Sequence, residues 1–284
     1  MKSAEVAGAR FASPSTRRLA PSRGWSSRTL WELWEYRELL YFLIWRDVKV
    51  RYKQTVLGAG WAIIQPLMTM VVFTIFFGRL AKVPSDGLPY PVFSLAALVP
   101  WTYFSSALAG SSSSVGGYQH ILSKVYFPRL LIPMAAVIAP LVDFAIAFVI
   151  LLGLMAWYGI VPGAAVAWLP LLLLLAIATA AAAGIWLSVL NVRYRDIRYV
   201  VPFALQLWLF ATPVAYPASL VPERWRALYG LNPMAGVIEG FRWALVGGPS
   251  PHFMTLLSAV VVFAALAGGI VYFRSSEGTF ADII

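Results

Sequence analysis

The stretch WLPLLLLLAIATAAAAGIWLSVL occupies residues 168–190 and contains no charged residue. A helix needs about 20 apolar residues to cross roughly 30 Å of hydrocarbon, so this stretch predicts a transmembrane helix. Other apolar segments of comparable length lie at about 60–80, 91–110, 131–158, 200–217 and 253–273. The sequence therefore predicts an all-α integral membrane protein with six transmembrane helices, although prolines interrupt the segment at 200–217.

The composition supports the same class. Of the 284 residues, 60% are hydrophobic and only 12% are charged, whereas about a quarter of the residues in a soluble domain are charged. A chain with so few charges exposes much of its surface to lipid. The net charge of +10 in such a chain reflects topology and contact with anionic lipid rather than nucleic-acid binding.

The content of cysteine, histidine and lysine limits the chemistry. The chain has no cysteine and two histidines, His120 and His252, which excludes disulfides and cysteine nucleophiles and disfavours a histidine metal site. No lysine ends the G-x-x-x-x-G-K-[ST] pattern of a phosphate-binding loop. We therefore expect no metal, no cofactor and no ATPase in this chain, so any ATP-driven work falls to a partner.

The N-terminal region divides into two parts. Residues 1–28 are rich in arginine and lack the apolar core of a signal peptide, which predicts a disordered cytoplasmic tail. Residues 29–58 place tryptophan and tyrosine at helical spacing among many charges. Such a pattern is typical of an amphipathic helix at the membrane interface; the alternative is a soluble helix that packs on another domain.

The basic residues predict the orientation. Most of the 22 Lys and Arg residues fall in connections on the same side as the N-terminus, and the positive-inside rule assigns that side to the cytoplasm. Both termini, including a C-terminal tail at 275–284, are then cytoplasmic. On the opposite face, residues 217–248 are too apolar for an ordinary loop and too interrupted to span, which predicts short re-entrant helices sheltered by protein.

Asp143 is the one clear acid inside a predicted span. Intramembrane acids are costly and usually face the protein interior. Asp143 could line a channel or relay protons, or it could be a structural residue that is hydrogen-bonded between helices. The second interpretation is favoured, because a relay needs several titratable groups and the spans contain no other clear one.

Several ordered motifs resemble one family of membrane proteins. Together they cover most of the chain from about residue 40: IWRDVKVRYKQTVLGAGWAIIQPL (44–67), LVPWTYF (98–104), KVYFPRLLIP (124–133), LVDF (141–144), NVRYRDIRYVVPF (191–203), LWLFATPVAYP (207–217), LNPMAGVIEGFRWAL (231–245) and EGTFADII (277–284). The chain is similar to the membrane subunits of ABC-2 type polysaccharide exporters, which include O-antigen, teichoic acid and capsule permeases.

The resemblance implies an assembly and a substrate. The transmembrane domain, about residues 59–274, would form a homodimer around a continuous channel in the bacterial inner membrane. Two copies of a separate nucleotide-binding subunit would bind ATP and Mg on the cytoplasmic face. The substrate would be a polysaccharide on undecaprenyl diphosphate, with O-antigen favoured.

The resemblance and the residue types together nominate three groups of site residues. A coupling helix at about 117–128, which physical reasoning alone leaves open as a plain loop, would present to the ATPase Tyr118, Gln119, His120, Ile121, Leu122, Lys124, Tyr126 and Arg129. The lipid diphosphate, or ordinary anionic lipid, would meet Arg46, Lys49, Arg51 and Lys53. The channel-lining candidates are Trp61, Gln65, Trp101, Tyr103, Phe104, Trp208 and Phe210, although contact with lipid or core packing is the favoured interpretation for any one aromatic.

Three other classes remain as alternatives. An ABC-2 exporter of a small lipid or drug would have a narrow central path. A membrane glycosyltransferase or acyltransferase would need a carboxylate or histidine cluster at the interface, and the sequence offers none. A purely structural membrane subunit would not associate with an ATPase.

Overall fold

The computed structural model describes residues 34–53, 60–118, 127–194, 196–248, 250 and 252–283. Over these residues every regular element is helical. The longer helices are α1 (Arg37–Lys53), α2 (Gly60–Phe73), α3 (Tyr90–Gly117), α4 (Leu131–Ile138), α5 (Leu141–Trp157), α6 (Leu169–Arg193), α7 (Ile197–Ala211), α8 (Glu223–Gly230), α9 (Pro233–Val246) and α10 (His252–Ile283). A π-helical turn (Thr74–Leu80) continues α2, and short 3-10 helices lie at Ala164–Trp168 and Ala218–Leu220.

Five helical segments in this part of the chain are long and apolar enough to cross a membrane. They are Gly60–Leu80, Tyr90–Gly117, Leu131–Trp157, Ala164–Arg193 and Thr255–Glu277. The prediction of a helical, multi-pass membrane protein is thereby confirmed.

The predicted span at 200–217 takes a different form. It is the 15-residue helix α7, which at 1.5 Å per residue measures only about 22 Å. Thr212 at its end has extended backbone, and Pro213 and Pro217 follow within a few residues. Proline has no N–H to donate to a helix, so α7 ends at Ala211, whereas the predicted segment extends to residue 217.

Helix α3 is the centre of the subunit. In its most apolar window 78% of the residues are buried, against 11% in the span that begins with α2. α3 packs against α4, α5, α6 and α9, and α10 packs on the other side of α6. Close approach of α3 and α6 depends on Gly184, because a Cβ at that position would lie 2.7 Å from Cβ of Ser111.

The predicted re-entrant region at 217–248 contains the helices α8 and α9. α9 is largely buried, and Asn232 caps its first turn by accepting a hydrogen bond from the backbone N–H of Met234 at 3.1 Å. The amide of Asn232 also donates to the hydroxyl of Thr212 at 2.9 Å and accepts from the indole N–H of Trp208 at 2.9 Å. Asn232 therefore joins the start of α9 to the end of α7.

Arg242 holds the same region together from α9. Its side chain is only 6% exposed, its guanidinium carbon lies 3.7 Å from the ring centre of Phe93, and it donates to Glu239 at 2.9 Å and to the carbonyl of Val214 at 2.7 Å. Burial raises the pKa of Glu239, and the neighbouring guanidinium of Arg242 opposes that shift. One side chain thus fastens α9 to α3 and to the irregular segment after α7.

Helices α1 and α10 lie at the two ends of the described chain, where the sequence predicts an interfacial segment and a tail. Residues 1–28 lie outside the described part of the chain, and α1 falls within the predicted interfacial segment at 29–58. The predicted tail at 275–284 is helical as far as Ile283, because α10 continues without a break from His252.

Candidate functional site

Helix α1 is attached to the rest of the chain by an apolar patch on one side. Leu43 is 6% exposed and belongs to a cluster with Tyr118, Phe127, Leu131 and Ile132. The opposite side of the helix exposes the large aromatic side chains of Tyr41, Phe42 and Trp45, and Trp34 is exposed just before the helix begins. Amphipathic helices that lie in the headgroup region have such aromatic surfaces, and the buried side packs on the chain's own α4.

A polar contact joins α1 to the end of α3. The hydroxyl of Tyr118 donates to a carboxylate oxygen of Asp47 at 2.7 Å. The guanidinium carbon of Arg46 lies 4.3 Å from the centre of the Tyr118 ring. Burial, and then the bond to Asp47, raise the pKa of Tyr118, so its hydroxyl remains a donor. Tyr118 is the first of the predicted coupling residues.

One helical turn further on, α1 makes a second polar contact. The guanidinium of Arg51 donates to one oxygen of Asp143, and the hydroxyl of Tyr52 donates to the other. The side chains of Arg51 and Asp143 are 37% and 27% exposed. Burial and the bond to Asp143 raise the pKa of Tyr52 to about 12, so Tyr52 stays protonated. This geometry fits the interpretation of Asp143 as a structural residue bonded between helices.

A groove of about 270 Å³ opens beside this contact. Trp61 and Asp143 lie at the starts of α2 and α5, so the groove lies where these two apolar helices begin. Its walls come from α1, α2, α3 and α5 and include Arg51, Tyr52, Trp61, Gln65, Thr102, Tyr103, Ser106, Asp143 and Phe144. Aromatic rings, an amide, hydroxyls and one ion pair therefore surround a single opening.

The groove combines residues from separate predictions. Arg51 is predicted to bind the diphosphate, and Asp143 is the predicted intramembrane acid. The predicted channel residues in the groove are Trp61, Gln65 and Tyr103. Sequence reasoning missed Tyr52, Thr102 and Ser106. Thr102 and Ser106 are spaced by four residues, which places both on one face of α3, and that spacing was the available signal.

The remaining predicted cations lie elsewhere on α1. Arg46, Lys49 and Lys53 are exposed and do not line the groove. Arg51 lines it, but in an ion pair with Asp143 rather than as a free cation. Of the four basic residues, Arg51 alone therefore lines the groove.

The other predicted channel residues pack inside the subunit or lie on its surface. Trp101 and Phe104 are 5% and 0% exposed and contact one another with ring centres 5.6 Å apart. Phe104 also meets Trp208 at 5.1 Å, whereas Phe210 is 52% exposed. The positions of Trp101 and Phe104 fit core packing, and their role in a channel lining stays a prediction.

The predicted coupling helix lies mostly outside the described residues, since Gln119, His120, Ile121, Leu122, Lys124 and Tyr126 are among those not described. Both flanks are described and anchored. Phe127 joins the cluster under α1, and Arg129 donates to the backbone carbonyl of Glu277 on α10 at 2.6 Å. No group of three or more acidic or histidine side chains suited to a metal occurs in the described part of the chain.

Most of the chain matches one known family of membrane proteins. The pattern of the ABC-2 type transporter family matches residues 38–246. The chain belongs to the ABC-2 type transporter family. The matched region of this ABC-2 protein begins in α1 and ends with α9. It therefore contains the groove, the contact between α1 and α3, and the contacts of Arg242 with Phe93, Glu239 and Val214, which we call the clamp around Arg242.

Individual relatives extend the similarity over nearly the whole ABC-2 chain. It is 32% identical to the O-antigen export system permease protein RfbA of Myxococcus xanthus, over 90% of this chain and 99% of the relative. It is 26% identical to the RfbA protein of Klebsiella pneumoniae, over 87% and 95%. It is 25% identical to the polysialic acid transport protein KpsM of Escherichia coli, over 79% and 90%.

Proposed function

We propose that this chain is the channel-forming membrane subunit of an ABC exporter for polysaccharide linked to undecaprenyl diphosphate, with O-antigen as the favoured polymer. The similarity to an O-antigen export permease over 90% of this chain and 99% of the relative carries the proposal. The chain acts in the bacterial inner membrane with both termini in the cytoplasm, and the excess of basic residues on the N-terminal side supports that orientation.

Two copies of a separate ABC nucleotide-binding subunit supply the energy. The chain has no phosphate-binding loop of its own, so ATP and Mg bind to the partner and no cofactor binds here. The segment at about 117–128 docks on that partner. Support comes from its two ends, since Tyr118 is bonded to α1 and Arg129 to α10. A segment held in this way can pass a displacement to both helices.

Two copies of the chain enclose the channel. The groove beside Asp143 opens at the surface of one subunit, and a polymer needs a path that is walled on all sides. A second subunit facing the first would supply the missing wall. Trp61, Gln65 and Tyr103, which line the groove, are the aromatic and amide contacts that we assign to the path of the substrate.

The lipid diphosphate binds near the interfacial helix. Arg51 in the groove and the exposed Arg46, Lys49 and Lys53 on the same helix provide the positive charge, and guanidinium groups bind phosphate through two parallel hydrogen bonds. The headgroup would then lie at the start of α2, where a lipid chain can remain in the membrane.

Deletion and complementation test the proposal in the native host. Loss of this chain should abolish surface O-antigen and leave lipid-linked glycan inside the cell, and the intact chain should restore both. The similarity to KpsM favours capsule as the second candidate, and the two are separated by which surface glycan disappears. Normal amounts of both glycans, together with no co-purifying nucleotide-binding subunit, would refute the proposal.

A further inference from the structure

The ion pair in the groove uses both oxygens of one carboxylate. Arg51 binds one oxygen of Asp143 and Tyr52 binds the other. A guanidinium and a neutral hydroxyl are also the donors that suit two oxygens of a phosphoryl group. Asp143 therefore occupies the donors that an anionic headgroup would need.

The charge of the groove depends on this contact. Among the described residues that line it, Arg51 and Asp143 carry its charge. With the pair closed the charge of Arg51 is compensated by Asp143, and with the carboxylate displaced the guanidinium is left unpaired at the opening. Both side chains are partly exposed, and ion pairs in such positions are weak enough to exchange. A diphosphate carries more negative charge than a carboxylate and forms stronger bonds to the same donors.

We propose that Asp143 is an intramolecular competitor for the lipid headgroup, holding Arg51 and Tyr52 until a diphosphate displaces it. The proposal rests on the proposed function, because it takes a lipid-linked diphosphate as the ligand. Displacement releases α1 from α5 at the point where α2 begins. Arrival of the substrate is thereby linked to a change in the position of the interfacial helix, and anionic lipids of lower charge are disfavoured.

Binding measurements on the full chain in lipid nanodiscs test this exchange. The probe is undecaprenyl diphosphate, with undecaprenyl monophosphate and free pyrophosphate as separate arms that distinguish a lipid headgroup from phosphate alone. Asp143→Asn should lower the Kd for undecaprenyl diphosphate about fivefold, the factor expected when a weak competing pair is removed. Arg51→Gln should raise the Kd about tenfold, and in the double variant the gain from Asn should disappear.

Two further variants keep the result interpretable. Asp86→Asn makes the same chemical change in the loop before α3, where the carboxylate accepts from Ser219 at 3.1 Å, and should leave the Kd unchanged. Asp143→Glu retains a competing carboxylate and should bind like the parent chain. If the asparagine variant fails to fold, Asp143→Ser, which also removes the carboxylate, replaces it in the comparison with Arg51→Gln.

The outcomes separate this proposal from the proposed function. If Arg51→Gln binds undecaprenyl diphosphate as tightly as the parent, the headgroup site lies elsewhere and the assignment of the groove is wrong. If Arg51→Gln weakens binding while Asp143→Asn leaves the Kd unchanged or raises it, the site stands and the competition by Asp143 is overturned. The same holds if Asp143→Glu binds as weakly as Arg51→Gln.

Discussion

Two glutamate–arginine pairs with the same three-residue spacing lie in adjacent short helices. Glu223 and Arg226 on α8 are exposed, with side-chain exposures of 87% and 46%, whereas Glu239 and Arg242 on α9 are 20% and 6% exposed. Exposed pairs contribute little because water and salt screen them. The buried pair is different, since loss of one partner leaves a charge without compensation in a dry environment.

We therefore expect Arg242→Met to destabilise the subunit by about 3–5 kcal/mol. The loss includes the contact with Phe93 and the hydrogen bond to the carbonyl of Val214. Arg226→Met is the matched control and should unfold like the parent chain. Thermal unfolding of the purified chain in one detergent measures both. Equal unfolding temperatures for the two variants would show that the buried pair does not stabilise α9.

At the scale of helix pairs, two glycines give a similar contrast. Gly184→Ala should destabilise the contact between α3 and α6 by about 1–3 kcal/mol, the usual range for overpacking, because the new Cβ would lie 2.5 Å from Oγ of Ser111. Gly153→Ala on α5 meets open space and gains helix propensity, so it should be neutral or slightly stabilising. Unfolding temperature and dimer yield report both variants, and a stable Gly184→Ala would show that the two helices can separate at little cost.

The bond between Tyr118 and Asp47 allows a test of coupling through α1. Tyr118→Phe removes the hydroxyl and keeps the ring that packs on Leu43 and Arg46. In the complex with its nucleotide-binding subunit, we expect basal ATP hydrolysis to persist and stimulation by substrate to fall about two- to fivefold, since a part-exposed hydrogen bond to a charged group is worth about 1 kcal/mol. Tyr41→Phe, on the exposed side of α1, is the control. Undiminished stimulation in Tyr118→Phe would mean that α1 is not in the coupling path.

Several of the helices could be predicted from sequence patterns alone. Long uncharged runs predicted α6 and the spans that begin with α2 and α3, because only a helix satisfies the backbone of such a run in lipid. The same criterion did not locate the end of the helix within 200–217, where hydrophobicity stays high but α7 stops at Ala211, before Pro213. It located the last span, and α10 continues beyond that span to Ile283 because charged residues do not interrupt a helix.

The groove could be predicted only in part. Each of its main residues carried a local signal: a basic helix for Arg51, an acid inside an apolar segment for Asp143, and an aromatic at a helix start for Trp61. These residues come together because α1 packs against α4 and α5. No short segment of the sequence predicts that packing. Arg51 and Asp143 lie 92 residues apart, and one sequence contains no periodicity that joins them.

At the scale of the whole molecule, the basic residues of α1 should affect transport more than assembly. Replacement of Arg46, Lys49 and Arg51 together by Gln should reduce export of lipid-linked glycan about tenfold or more, because each lost cation weakens phosphate binding. The same variant should still form a complex of two membrane and two nucleotide-binding subunits, as measured by native mass spectrometry. Arg79→Gln and Lys82→Gln, at the other end of the first span, form the control, and normal export by the α1 variant would place the headgroup elsewhere.

The clamp around Arg242 has a consequence for synthesis and membrane insertion. Its counter-ion Glu239 lies one turn earlier in the same helix, and its carbonyl acceptors belong to Phe93, Val214 and Tyr216. All of these residues precede Arg242 in the chain, so the ribosome delivers every partner before the guanidinium itself emerges. A cation that enters the bilayer next to its own carboxylate, with its acceptors already in place, avoids most of the penalty for an isolated charge. Translation order thus helps to protect Arg242, the most buried charged side chain among the described residues, during biogenesis.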